Sequence, residues 1–369
     1  MAIHSRPCGF AAAVAALLLS SPLMAQDFSL AEITEAWLDG PHGDYRSESF
    51  THWNEDGEVP AACAACHSET GIIDYLGADG SAPLSVDHPA TINSPIGCAS
   101  CHTSTAHALT DVPFPSGVTM AGLGSDAMCY VCHQGRLSGD DVAEAVEAME
   151  PDTVSADLSF MNVHYGVAAA VTHGAEVRGG FEYPGRSYAG TYAHVPSADS
   201  CLDCHEAHTT EVATDGCLSC HQGVEDIRDI RMRHADFDGD GATDGGIREE
   251  IAGLHARLDA AIRAYAAEVA GTPIGYASGR YPYFFTDGDG DGRIGEEEAV
   301  YPNRYASWTP RLLQAAYNYQ VVAKDPGAYV HNPAYALQLL HDSLVSLSER
   351  VELDMGDRKS TRLNSSHYS

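Results

Sequence analysis

The sequence predicts a mainly α-helical chain with extensive irregular coil, in which short helical turns bearing paired cysteines precede an acidic helical region. Three observations carry this. The pentapeptide C-x-x-C-H occurs five times between Cys63 and His221. Asp-Gly-rich loops follow, beginning at Asp236 and Asp287. Around those loops apolar residues recur at three- and four-residue steps, the period of an amphipathic helix.

The two ends stand apart from the fold. Residues 1–25 read as a secretory signal: Arg6 gives a positive start, FAAAVAALLLSSPL an apolar core, and Ala25 a small residue for cleavage. That run is too short for an ordinary transmembrane helix, and no later segment reaches its length. The mature chain is therefore expected to be exported, to the periplasm or to the cell exterior and surface, without a transmembrane segment. Cys8 leaves with the signal. At the other end residues 357–369 contain DRKSTRLNSSH, which resembles the shifted-frame translation of a sequencing adapter. The chain carries 52 acidic residues against 20 Lys and Arg, a formal charge of −32. Such a field argues against nucleic acid and anionic membrane surfaces as partners, and favours cations or basic proteins.

The pentapeptides are CAACH at Cys63, CASCH at Cys98, CYVCH at Cys129, CLDCH at Cys201 and CLSCH at Cys217. In an exported chain, paired cysteines can mean disulfides, zinc or c-type haem attachment. Zinc ribbons use cysteine pairs but do not require a histidine after each one. Histidine is 19 of 369 residues, so five closures by chance are very improbable. Haem attachment explains the spacing. On one helical turn Cys63 and Cys66 share a face and can form two thioethers, and His67 projects onto the iron. The same holds for Cys98, Cys101 and His102; Cys129, Cys132 and His133; Cys201, Cys204 and His205; and Cys217, Cys220 and His221.

Each iron has a second axial position. Twelve histidines remain outside the two ends and the five motifs, so supply exceeds the five needed. His208 stands too near His205 to reach the far face of its own haem, and is expected on a neighbouring one such as that at Cys217. Met128, beside Cys129, is the alternative type of ligand and would raise the potential. The motifs are too close together for each haem to have its own apolar core. The haems themselves are expected to form the core and to lie within electron-hopping distance. This gives a three-haem region over 26–150 and a two-haem region over 151–235.

Residues 236–356 form the acidic helical region. DGDGDGRIGEEE matches a calcium loop: Asp287, Asp289 and Asp291 at positions 1, 3 and 5, and Gly292 at the tight turn. Arg293 offers its carbonyl at position 7 and Glu298 its carboxylate at position 12. A second loop offers Asp236, Asp238, Asp240 and Asp244, but Ile247 stands at position 12, so Glu249 or Glu250 would have to reach back. Ile251, Leu254, Leu258, Ile262, Tyr265 and Val269 line one helix face, stopped by Gly271 and Pro273. Thr309-Pro310 reads as the start of a helix running to about Ala323, and Asn332-Pro333 as the start of another. Calcium, in one loop or both, would tie these helices together.

With these motifs in place, the chain resembles multihaem c-type cytochromes found outside the inner membrane of metal-respiring bacteria. The resemblance is carried by ESFTHWNEDGEVPAACAACH, CYVCHQGR, MNVHYGVAAA, GGFEYPGRSYAG, AHVPSADSCLDCHEAHT, YASWTPRLLQAAYNYQ and YVHNPAYALQLL. It implies a haem-cored cytochrome that carries electrons to or from an external acceptor through redox partner proteins. It also favours His52, His164, His194, His208 and His331 as distal ligands, with His42 and His88 in reserve. His173 and His341 occupy places where aromatics are more usual in the family.

An electron carrier is the leading reading, with no catalytic residue of its own. A multihaem reductase acting on nitrite, hydroxylamine or a sulfur oxyanion would need one iron with an open position. A third reading is a subunit that stacks its haems with those of like protomers into a filament.

Overall fold

The computed structural model describes residues 29–231 and 233–353. The signal and tail readings at the two ends lie outside the described residues. The architecture is helical with irregular connections and two short antiparallel hairpins, Val112–Pro113 with Thr119–Met120 and Ile274–Tyr276 with Phe284–Thr286.

The C-terminal region is built around three helices, Ile247–Tyr265, Pro310–Ala323 and Pro333–Leu347, packed against one another. The first buries Ile251, Leu254, Leu258, Ile262 and Tyr265, the stripe expected from the three- and four-residue spacing. It continues as one wider turn to Ala270, and Gly271 ends it in the left-handed conformation that a glycine adopts without strain. The Thr309 hydroxyl accepts the Leu312 N–H and Pro310 sits at the first helical position. Asn332 and Pro333 repeat the arrangement, with the Tyr335 N–H donating to the Asn332 side chain. In each case the cap satisfies an N–H that the helix cannot, and proline has none to satisfy.

The largest core runs from Val142 to Val351, across the expected division near 235. Polar side chains of the two later helices reach into segment 163–190 and bond the backbone of its non-helical stretches. Asn318 accepts from the Phe181 N–H at 2.7 Å and donates to its carbonyl at 2.9 Å. Gln338 accepts from Ala189 N–H at 2.7 Å, Tyr317 donates to the Gly179 carbonyl at 3.0 Å, and Gln320 accepts from Val163 N–H at 3.1 Å. A segment without ladder partners must find them elsewhere when buried; here the helices supply them.

The attachment motifs lie on helices of one or two turns: Ala61–His67, Cys98–Cys101, Ala127–Cys132, Cys201–Cys204 and Thr214–Cys220. A smaller core of Ile72, Leu76, Ala106, Val112, Phe114, Tyr130 and Val131 gathers around the Cys129 motif. The Cys201 and Cys217 helices contribute no buried residue at all.

Candidate haem and metal sites

Every attachment histidine faces a second histidine ring. His67 lies 5.8 Å from His164 between ring centroids, His133 6.3 Å from His42, and His102 6.3 Å from His208. His205 lies 6.5 Å from His331, and His221 5.8 Å from His194. One metal atom bonded at about 2 Å to each of two imidazoles would hold their centroids roughly 6 Å apart. All five separations are of that size.

The ring nitrogens are prepared for such a role. The Nδ1–H of His67 donates to the Ser49 carbonyl at 2.8 Å, and that of His205 to the Thr210 carbonyl at 2.9 Å. A carbonyl only accepts, so the proton is fixed on Nδ1 and the Nε2 lone pair is left for a metal. His208 Nδ1 meets Glu206 at 3.2 Å, and His331 Nδ1 meets both Asp325 oxygens at 2.8 and 2.9 Å. Burial, with His42 and His205 nearby, pushes His133 down to about 4; burial, with His67, Arg136 and Lys324 nearby, does the same to His164. Both are therefore neutral imidazoles near pH 7, the ligating form.

The backbone around His164 is unusual. Its φ is +77°, a region that non-glycine residues enter at some cost and mostly at functional sites. The Asn162 side chain accepts the His164 N–H at 3.0 Å, and Gln320 holds the preceding N–H. At Gly166, a Cβ would stand 2.9 Å from His133 Nδ1, so no side chain fits between the two rings' supports.

The structure places two sequence-predicted residues differently. His52 faces none of the five attachment histidines; its ring packs edge-on against Trp53 at 4.7 Å and its Nδ1 bonds Glu48 at the surface. The reserve residue His42 faces His133 instead. His208 faces His102, not His221, because its loop folds back against the N-terminal segment: the Gly40 backbone packs directly on the His208 carbonyl. His107 also lies 6.3 Å from His102 but is exposed and follows it by five residues. His88, the other reserve, turns to Asp74 and Asp87 at 3.0 and 2.5 Å.

None of the ten motif cysteines is in a disulfide, and the motifs pack through them. Cys66 Sγ lies 3.8 Å from the Val131 carbonyl and Cys132 Sγ 3.8 Å from that of Ala65, a reciprocal contact. The Cys66 thiol pushes Cys132 well up, as Cys129 does Cys201. The Cys201 N–H donates to Asp126, next to the Cys129 helix, at 3.2 Å. Burial and then Cys129 raise Cys101; burial and then Cys217 raise Cys204. The third motif in sequence thus sits between the first, second and fourth in space, and the fifth adjoins the fourth.

Both acidic loops share one hydrogen-bond pattern. Asp287 accepts from Gly290 and Gly292 N–H at 2.8 and 2.9 Å; Asp236 accepts from Gly239 and Gly241 at 2.6 and 2.9 Å. Asp287, Asp289 and Asp291 converge within 4.8 Å. The Arg293 N–H donates to Asp291 at 2.8 Å, and Glu298 folds over the loop onto Gly288 and Gly295. In the other loop the converging set is Asp236, Asp238 and Glu250. Asp240 lies outside it, its carboxylate bonded to the Ala242 N–H, and so does Asp244. Glu250, one of two residues expected to reach back, is buried and paired with Arg231 at 2.6 Å. Burial, then the neighbouring carboxylates, raises Asp238.

Five C-x-x-C-H turns, each with its histidine facing a second histidine ring, present the donor set that covalent haem attachment uses. The chain is 26% identical to the C-type polyheme cytochrome OmcC of Geobacter sulfurreducens over 90% of its length. It is 24% identical to the C-type polyheme cytochrome OmcB of the same species over 80% of its length. It spans about half the length of these curated relatives, 47% and 45%. No protein-family profile matches the chain, and no solved structure matches it. The likenesses support a multihaem c-type cytochrome with covalently bound haem and suggest an electron-transfer role. Among the described residues no helix is long and apolar enough to cross a membrane.

Proposed function

We propose that the chain is a pentahaem electron carrier that passes electrons between respiratory components and an extracytoplasmic acceptor. The observation that supports this most directly is the second histidine facing each of the five attachment histidines. Haem bound there supplies one-electron redox chemistry. The chain's own residues attach, orient and insulate it: Cys63 and Cys66 with His67 and His164; Cys98 and Cys101 with His102 and His208; Cys129 and Cys132 with His133 and His42; Cys201 and Cys204 with His205 and His331; Cys217 and Cys220 with His221 and His194. If both facing histidines hold the iron at every site, no coordination place would be left for a substrate, which favours carriage over a reductase.

The Asp287 loop, through Asp287, Asp289, Asp291, the Arg293 carbonyl and Glu298, is read as a calcium site. The Asp236 loop is read as a second one using Asp236, Asp238 and Glu250. Both flank the helix Ile247–Tyr265 and would brace it. Export to the periplasm or cell surface and basic redox partners complete the reading.

The test is electron paramagnetic resonance of the oxidised, matured protein with haem counted per chain. Five low-spin ferric haems are expected. His42→Ala should convert one of them to high spin, whereas His52→Ala should leave the spectrum unchanged. A high-spin haem in the unaltered protein would reopen the reductase reading, and fewer than five haems would overturn the proposal.

A further inference from the structure

Lys324 and Asp325 are neighbours in sequence at the end of the helix Pro310–Ala323, and they serve different sites. Lys324 is 6% exposed. Its Nζ lies 3.4 Å from the ring centre of Tyr165 and 4.1 Å from that of Tyr283, and it bonds the Ser278 carbonyl at 3.4 Å. Among the described residues no carboxylate pairs with it. In a chain of charge −32 a buried cation held by tyrosine side chains and a carbonyl is conspicuous, because burying a charge without an opposite one is costly. Tyr165 in turn packs against His164, 5.9 Å away. A second cation is near: the Arg136 N–H donates to the Val163 carbonyl at 2.9 Å, and the guanidinium charge acts on both His67 and His164.

Asp325, 4% exposed, turns the other way and accepts from His331 Nδ1 with both oxygens. A carboxylate bonded to the far nitrogen of a ligating histidine makes that histidine a more basic ligand.

We propose that this pair sets a redox polarity within the chain, an inference that rests on the haem reading above. Lys324, with Arg136, raises the reduction potential of the haem at Cys63. Asp325, acting through His331, lowers that of the haem at Cys201. Reduction adds one electron to an iron; a nearby cation stabilises the added charge, while a carboxylate and a more basic ligand stabilise the oxidised form. Transfer of one electron from a reduced group held at Cys201 to an oxidised one held at Cys63 would then be downhill, the first iron being oxidised as the second is reduced. The Cys129 motif, in contact with both of the others, lies on the path.

The experiment is a spectropotentiometric titration of the haem-loaded protein and three variants, with haem count and low-spin signals recorded for each. Lys324→Met keeps the aliphatic stem and removes the charge; it should lower one midpoint and leave the others in place. Lys324→Arg should restore that midpoint. Asp325→Asn keeps an acceptor oxygen and should raise a different midpoint. Unchanged midpoints with five low-spin haems, or both removals shifting the same haem, would overturn the polarity. A missing haem or a high-spin iron in the unaltered protein would instead overturn the haem reading.

Discussion

Cys220 and Trp308 mark two ways of building a protein within one chain. Cys220 ends the seven-residue helix Thr214–Cys220, none of whose residues is buried. Trp308 is fully buried among Phe160, Phe284 and Tyr305, just ahead of a fourteen-residue helix with eleven buried positions. The C-terminal helices make their own core from side chains. The motif region has only a smaller core, around the Cys129 helix, and its Cys201 and Cys217 helices bury nothing. The difference teaches that the C-terminal helices draw stability from burial of their own side chains, whereas the motif region has less of that source and, on the haem reading proposed above, would draw on its attached groups.

That contrast can be broken most forcefully by withholding haem attachment. Expressed where the cysteines are not matured, the protein should lose protection from amide exchange over 61–133 and 201–221, while 142–190 and 247–347 stay protected as parts of one core. Equal protection in both regions would remove the distinction. The next effect lies on the helical side: Leu258, fully buried, should cost about 2–5 kcal/mol of helical-region stability on Leu258→Ala. Chemical denaturation would read it, and the haem spectrum should not move below the new transition.

Gln320 joins the two regions, since it holds the Val163 N–H beside His164. Gln320→Leu should cost about 1–3 kcal/mol by leaving that N–H unpaired, and should alter the low-spin signal of one haem only. A signal identical to the unaltered protein would show that His164 is positioned by Asn162 and the haem alone.

The smallest effect concerns the acidic loops. Asp238 sits above its ordinary pKa because it is buried among carboxylates. A carboxylate whose folded pKa exceeds its unfolded one contributes stability that is full below the unfolded pKa and is lost as pH rises through the folded value. Without added calcium, thermal stability should therefore decline slightly as pH rises through the carboxylate range, and calcium should reverse the decline. Asp238→Asn should abolish both trends; their persistence would assign them to another group.

Much of the helical region was legible because its signals are local. Thr309-Pro310 and Asn332-Pro333 mark helix starts through bonds made within one turn, and the stripe from Ile251 to Tyr265 reports burial through spacing alone. The C-x-x-C-H turns were legible for the same reason. The partner histidines were only partly so. His164, His194, His208 and His331 stand in strings that resemble a family, but which ring each one faces depends on how irregular coil returns across space. His42 had no local mark; the fold brings it to His133 and leaves His52 on Trp53. Glu250 rather than Asp240 or Asp244 joins Asp236 and Asp238, because the helix after the loop turns it inward.

By itself, then, the sequence determined where the C-x-x-C-H turns and the acidic loops lie, and which helices bury which face. These are properties of spacing within a few residues. Only the tertiary structure decided the pairing of rings, the central place of the Cys129 motif, and the opposite directions taken by Lys324 and Asp325. Those depend on contacts between residues far apart in the chain, brought together by a core and by buried polar side chains whose partners no short stretch of sequence names.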